Sequence, residues 1–286
     1  MDKLAKEQIF FYKNGLPFQN TLDRNLDALR ERIEMNKASL MVISGPVGEG
    51  KTTLAVHCAE YYQRGKLDFK KQIAFGGEQF QEKLQMCIDD KIGVLIYDEA
   101  GDFNSRGSLT SFNQQINRVF ETFRTFRIFI ILCLPMFSVL DSALFDKAIP
   151  RLLLYCHGRG MRYGSYKGYS LSRMYYLKDR MKRITVPPQA FGQVSPNFYG
   201  NFLDLEPARS RSLDEISTSE KSEILNENIL SNRGLLDYKA LSKTLNMSME
   251  WVKLNVRKLK LEHNFIFKKR KYFDPSVIPK LKEAMK

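Results

Sequence analysis

The chain has 286 residues, 43% of them apolar, with 45 Lys and Arg against 32 Asp and Glu, a formal net charge of +13. That length holds one large α/β domain and a smaller one, and the apolar share is enough to fill real cores and exclude a disordered chain. So basic a chain points to a polyanionic partner, nucleic acid or a membrane surface. The cysteines, Cys58, Cys87, Cys133 and Cys156, stand far apart with no Cys-x-x-Cys pair. They read as reduced core residues of a cytosolic-type compartment, without a zinc site. No signal-peptide pattern opens the chain, and the longest uncharged apolar stretch, residues 128–140, is interrupted by Pro135 and too short to cross a bilayer. A cytoplasmic location is expected, the host's cytoplasm if the chain is viral.

In chain order, residues 1–37 form an N-terminal segment with an aromatic cluster, Phe10, Phe11 and Tyr12, and a turn at Gly15, Leu16, Pro17 and Phe18. From Thr21, a plausible N-cap, Leu22, Leu26, Leu29 and Ile33 repeat at helical spacing, so a helix leads into the first strand. It packs either on the sheet or on a neighbouring subunit.

The apolar run Leu40, Met41, Val42 and Ile43 is followed by Gly45, Pro46, Val47, Gly48, Glu49, Gly50, Lys51 and Thr52, then by Thr53 and the helical apolar set Leu54, Ala55, Val56, Cys58 and Ala59. This is the P-loop spacing in its strand, loop and helix context. Three glycines let successive backbone N–H groups turn inward on a phosphate, and the helix that starts near Lys51 adds the positive end of its dipole. Lys51 is placed for the β- and γ-phosphates of ATP and the Thr52 hydroxyl for Mg²⁺. Val47 and Glu49 only shape the loop. Downstream, residues 72–75 read as a short strand, and Phe80, Leu84 and Ile88 mark a helix. Strands alternating with helices argue for a mainly parallel sheet flanked by helices, an α/β P-loop NTPase core over residues 38–183.

Residues 93–99 run Gly-Val-Leu-Ile-Tyr-Asp-Glu, a buried-type strand that ends in two acids. Behind a P-loop this is the Walker B pattern: Asp98 holds Mg²⁺ directly or through water, and Glu99 orients and deprotonates the attacking water. A polar loop with Asn104, Ser105 and Arg106 follows. Next comes an amphipathic helix marked by Phe112, Ile116, Val119, Phe120 and Phe123, and then Arg124 and Arg127 before the apolar run 128–134.

The acidic strand end, the helix, an arginine four residues before an apolar strand and that strand together resemble the ATPase core of the FtsK-HerA superfamily of DNA translocases and packaging motors. The small ATPases of archaeal viruses and plasmids are the nearer likeness, and the phage-assembly Zot-like proteins are more distant. The resemblance spans about residues 38–180, and its specific part is 98–135. It implies that an arginine before the fourth strand acts across a subunit boundary on a neighbour's ATP. Arg124 matches best, with Arg118 and Arg127 as fallbacks, and a surface-charge role is the alternative for all three. The family ends this strand with a polar γ-phosphate sensor, whereas here Leu134 and Pro135 stand there. Either Asn104 or Ser138 substitutes, or sensing is altered.

Residues 151–156 read as a further strand and 174–177 as another. Between residues 155 and 183 there are eight Lys or Arg, one acid and six tyrosines. Such a loop suits phosphate and base contacts, as in a motor's pore loop, or serves equally as a basic hairpin protecting a sheet edge. Residues 184–219, with Pro187, Pro188, Pro196 and Pro207 and then a run of serines, read as an extended linker resting on the core through Phe191, Phe198 and Phe202.

Residues 220–286 carry 15 Lys and Arg against 8 acids. Ile224, Leu225 and Ile229 mark one helix, residues 236–245 a second, and Trp251, Val252, Asn255, Val256 and Leu259 a third. Phe265, Ile266 and Phe267 then precede a basic run and the pair Tyr272 and Phe273. The order resembles a winged helix-turn-helix. The resemblance implies that Lys253, Arg257, Lys258 and Lys260 of the third helix and Lys268, Lys269, Arg270 and Lys271 of the wing contact double-stranded DNA, mostly at phosphates and with modest sequence preference. Winged helices also serve as protein-interaction modules.

The combined expectation is an Mg²⁺-dependent ATPase that translocates or packages double-stranded DNA as a homo-oligomeric ring, with a capsid or membrane-complex partner possible. A replication-initiator or partition-type ATPase, switching site-specific DNA binding with ATP, is the alternative; the short, proline-rich segment before the last domain argues against its helical lid. A non-enzymatic assembly or membrane-surface protein on a nucleotide fold is the third reading, opposed by intact Lys51, Thr52, Asp98 and Glu99.

Overall fold

The computed structural model describes residues 15–19, 21–37, 39–98, 126–140, 142–159, 162–232, 235–267 and 270–285. Two compact units divide the chain, residues 1–218 and 219–286.

The first unit is built on a seven-stranded sheet. In chain order it contains α1 (Leu22–Glu34), β1 (Leu40–Ser44), α2 (Lys51–Gln63), α3 (Phe69–Gln72), β2 (Ile73–Ala74), α4 (Gly77–Asp89), β3 (Val94–Asp98), β4 (Phe129–Leu134) and α5 (Ser142–Asp146). It continues with β5 (Pro150–Arg159), β6 (Arg162–Ser170), α6 (Leu171–Arg183), α7 (Ala190–Gln193) and β7 (Phe198–Asn201), then enters α8 (Pro207–Asn232), which runs across the division at residue 218. The strand order is β2-β3-β4-β1-β5-β6-β7. The first five are parallel, and β6 and β7 are antiparallel additions. This is the expected α/β architecture, a mainly parallel sheet flanked by helices.

Both faces of the parallel part are covered, which is why its strands read as unbroken apolar runs instead of alternating ones. Leu40, Val42, Leu95, Tyr97, Ile130, Leu132 and Leu134 pack with Phe80 and Leu84 of α4 and with Met174, Leu177 and Met181 of α6. On α2, Tyr62 lays its ring 4.4 Å from that of Phe129 on β4. The expected helix at Leu22, Leu26, Leu29 and Ile33 is α1, and all four are buried. Arg30 of α1 donates to the carbonyls of Tyr61 and Tyr62 at 2.8–3.0 Å, so a cation sits on the negative end of the P-loop helix.

Two expectations are overturned. The stretch 174–177 is helix, not strand: Met174, Leu177 and Met181 are buried at helical spacing within α6, and the strand lies earlier, in β6. Residues 184–219 are not an extended linker. Phe191 and Phe202 are buried as expected, but the segment also supplies α7, edge strand β7 and the first half of the 26-residue α8. Glycine enables the docking of β7: a Cβ at Gly168 would lie 2.3 Å from the Phe198 ring. Phe18 bridges to Phe202, tying the N-terminal turn to the same region.

The second unit holds β8 (Leu236–Asp237), α9 (Tyr238–Leu245), α10 (Met249–Lys258), β9 (Phe265–Phe267), β10 (Arg270–Phe273) and α11 (Val277–Glu283). Its strands form an antiparallel sheet in the order β8-β10-β9. Leu241, Leu245, Val252, Val256, Phe273, Val277 and Leu281 make its core. Asp237 caps α9 through Ala240 N–H, and Ser248 caps α10 through Trp251 N–H. Asn246 makes the tight turn between the two helices at φ 53°.

Candidate nucleotide-binding site

The P-loop lies where the sheet topology delivers it, after the central strand β1, with β4 on one side and β5 on the other. Gly45, Gly48 and Gly50 have φ of 147°, 85° and 76°, values closed or costly to other residues. Gly45 is constrained twice, because a Cβ there would stand 2.3 Å from the Cys156 carbonyl oxygen of β5. The loop therefore passes flush against the neighbouring strand and turns straight into α2, whose N-cap is Gly50. A concave loop of backbone donors before a 13-residue helix is a phosphate cradle.

The side chains at its rim agree. Lys51 Nζ donates to the carbonyls of Gly45 at 2.8 Å and Pro46 at 2.6 Å, so its ammonium lies over the mouth of the loop. Thr52 Oγ1 donates to Asp98 Oδ2 at 3.0 Å, joining the start of α2 to the end of β3. Asp98 is 6% exposed. A hydroxyl and a carboxylate at that distance beside a phosphate cradle can supply two of the six positions of an octahedral Mg²⁺ shell, the kind completed by waters and phosphate oxygens. The donor set therefore fits Mg²⁺ with a nucleoside triphosphate. Thr53 follows on the first turn of α2, half-buried, while Val47 stands 91% exposed at the loop tip.

Glu49 also reaches the neighbouring strand. Its Oε2 is buried without a hydrogen-bond partner among the described residues, and its carboxylate lies against Gly158 of β5, where a Cβ would come within 2.9 Å. The P-loop thus touches the strand that leads into the basic β5–β6 hairpin.

Beside the loop, a cavity of about 220 Å³ is walled by Pro135, Met136, Tyr155, Pro187 and Phe191 and bounded by Gly45 and Pro46. Ser138, one of the two residues expected to stand in for a polar γ-phosphate sensor, lines it. Ser44 lines it too, fully buried and with its hydroxyl unpaired among the described residues. Sequence reasoning passed over Ser44, although a lone hydroxyl ending an apolar strand immediately before the first P-loop glycine was a visible signal.

Burial shifts the nearby thiols upward. Burial raises Cys58 and Cys133 well above their usual range, and Asp98 adds to the effect at Cys133. Burial also pushes Cys156 to about 12. All four cysteines are free and buried.

Glu99, Arg118, Arg124 and Asn104 lie outside the described residues. Arg127 is described, and its Nε donates to Asn36 Oδ1 at 2.8 Å, beside the end of α1. In the second unit Lys253, Arg257, Lys258 and Lys260 are all exposed, as are Arg270 and Lys271 on β10, whereas Lys268 and Lys269 lie outside the described residues. Among the described residues, no helix is long and apolar enough to cross a membrane.

No protein-family model matches the chain, and no curated protein matches it. Solved structures overlap it more loosely. A HORMA:CdnC:Trip13 complex from E. coli MS115-1 aligns at 18% identity over 49% of this chain and 64% of that one, with a TM-score of 0.31. C. elegans PCH-2 aligns at 21% identity over 58% of this chain and 47% of that one, with a TM-score of 0.32. The N-terminal domain of zonular occludens toxin from Neisseria meningitidis aligns at 14% identity over 59% of this chain and 95% of that one, with a TM-score of 0.31. The chain thus spans less than two thirds of the first two. Overlaps at this level carry no information about what this chain acts on.

Proposed function

We propose that the chain is an Mg²⁺-dependent ATPase that moves or packages double-stranded DNA as a ring of subunits, of the FtsK-HerA kind. The observation that carries the nucleotide half is the Thr52–Asp98 hydrogen bond at the mouth of a loop with three glycines at positive φ. Gly45 to Thr53 would hold the ATP phosphates, Lys51 would neutralise them, and Thr52 with Asp98 would hold Mg²⁺, which supplies charge neutralisation on the phosphate oxygens. Glu99, next after Asp98, is assigned the general-base role toward water. Arg124 is assigned to a neighbour's site, and this is why a ring is proposed.

The DNA half rests on charge and on the second unit, which we take to act as a winged helix-turn-helix. Its exposed cations on α10, and Arg270 and Lys271 on β10, suit phosphate contacts. The contact of Glu49 with β5 offers a physical route from the nucleotide to the basic β5–β6 hairpin. An ATP-switched initiator with a helical lid is less favoured, because the segment after β6 spends β7 on extending the sheet and Phe191 on the core.

The test is the steady-state ATPase rate against protein concentration, with and without long duplex DNA of random sequence, and Glu99→Gln as the blank. Specific activity that climbs with concentration and rises severalfold with DNA supports the motor. A low rate, indifferent to both, overturns it.

A further inference from the structure

Three arginines gather at the end of the sheet opposite the P-loop. Arg32 lies in the last turn of α1, and its Nε donates to Ser39 Oγ at 3.2 Å. Ser39 precedes Leu40, whose N–H donates to the Ile149 carbonyl at 3.1 Å, so Arg32 is held beside the start of β5. Arg127 stands two residues before β4, the strand on the other side of β1, and is exposed.

An irregularity in the sheet places Arg151. Leu40 pairs with Pro150 and Met41 with Leu152, so Arg151 is the extra residue of a bulge between β1 and β5. A bulge re-aims the side chain that it carries. Here that side chain is a half-buried guanidinium whose Nε is buried without a hydrogen-bond partner among the described residues. Burial and then the charge of Arg32 hold Arg151 below the usual arginine range, and Tyr175 opposes them. No acid answers the two cations: among the described residues, neither Arg32 nor Arg151 forms an ion pair.

Two guanidiniums brought together without an acid repel each other, and an oxyanion between them turns that repulsion into attraction. A carboxylate has two oxygens, which a single guanidinium fork occupies. A phosphate has oxygens for two forks and charge enough for both. The phosphate cradle of the P-loop is a different place, because β1, five residues and about 17 Å long, lies between them.

We propose that Arg32 and Arg151 form a second phosphate-binding site, at the bulge where β5 begins, with Arg127 adding positive charge at its rim. The inference does not depend on the nucleotide or DNA readings above. Its phosphate belongs either to a small phosphate compound or to a nucleic-acid backbone, and the chemistry at the arginines is the same.

The experiment titrates inorganic phosphate into the full chain at an ionic strength held constant with chloride, and reads affinity by calorimetry and the thermal midpoint. A Lys51→Ala chain is the parent, so that the P-loop contributes less of the signal. Arg32→Gln and Arg151→Gln should each weaken phosphate binding about tenfold or more, and the double variant should lose little beyond either, because both arginines hold one ion. Arg151→Lys, which keeps the charge and loses the fork, should fall between. In chloride alone Arg151→Gln should melt no earlier than its parent, since it removes a repulsion. Phosphate that acts no differently from chloride overturns the inference. So does an Arg151→Gln chain that melts earlier in chloride and keeps the parent's phosphate response, which makes the arginine a structural one. Duplex DNA at low salt, added to the same arginine variants with Lys51 intact, identifies the source. A matching loss of DNA affinity assigns the site to a nucleic-acid backbone, and DNA binding that is unchanged or absent assigns it to a small phosphate compound.

Discussion

Thr52 and Asp98 lie 46 residues apart in sequence and 3.0 Å apart in space, hydroxyl to carboxylate. The link is a product of sheet order: β1 ends in the P-loop, β3 ends at Asp98, and β4 separates them. A side chain from the first turn of the helix after β1 thus meets one from the end of β3, at the C-terminal edge where α/β sheets bind ligands.

Asp98→Asn removes a charge and keeps the shape and the hydrogen bond, so the fold should hold while Mg²⁺-dependent hydrolysis drops by about 10²-fold or more. Lys51→Ala should lower it by a similar factor. A phosphate-release assay, with circular dichroism as the control, reads both.

Gly45→Ala should destabilise the first unit by about 2 kcal/mol or more, since the new Cβ meets the Cys156 carbonyl and φ is 147°. Gly48→Ala keeps the positive φ but meets nothing within 4 Å, so it should cost less. Urea unfolding midpoints of the two variants give the comparison.

His57 on α2 gives a pH signature. Its Nε2–H donates to the Leu203 carbonyl at 2.8 Å, and burial lowers its pKa below 6.5, partly offset by that bond and by the nearby Glu60 and Asp204. A base whose folded pKa is depressed stabilises the fold above its unfolded value, and that stability is lost as pH falls through the folded one. Asp204 is shifted the other way, raised by burial from 3.8, so it adds stability as pH falls through its own range and opposes this trend there. Between about pH 7.5 and 5.5, the thermal midpoint should fall, and His57→Gln, which keeps a donor and cannot charge, should flatten the decline.

Phe273 is fully buried in the second unit's small core. Phe273→Ala removes about 3–5 kcal/mol, comparable to all that a core of this size supplies. The second unit should unfold, with basal ATPase retained and stimulation by DNA lost. Limited proteolysis beside the ATPase assay separates this from global unfolding.

The parallel core and the phosphate loop were legible because both are written locally. Short apolar runs that lead to a glycine or an acid, such as 40–43 and 94–98, suit strands buried on two faces, and the glycine spacing between a strand and a helix suits a phosphate loop. The α6 error arose where Met174, Tyr175, Tyr176 and Leu177 crowd four apolar residues together: one turn of helix and a short strand look alike over so short a window, and only Met181 completes the helical period. Strand β7 was hidden because its partner β6 is what makes it a strand, and no local pattern at Phe198, Tyr199, Gly200 and Asn201 announces that pairing. Ser44 and Glu49 were underrated for a related reason. Their significance lies in what surrounds them, a cavity wall and the β5 backbone, and neither is encoded in spacing.

The most direct test of the nucleotide site is calorimetric titration of ATP into the full chain, with Mg²⁺ and with EDTA, on the wild type and on Thr52→Ala. The account predicts binding by the wild type that Mg²⁺ strengthens, and a Thr52→Ala chain that still binds ATP but gains little from the metal. Wild-type protein that binds no ATP, or binds it equally with and without Mg²⁺, would contradict it.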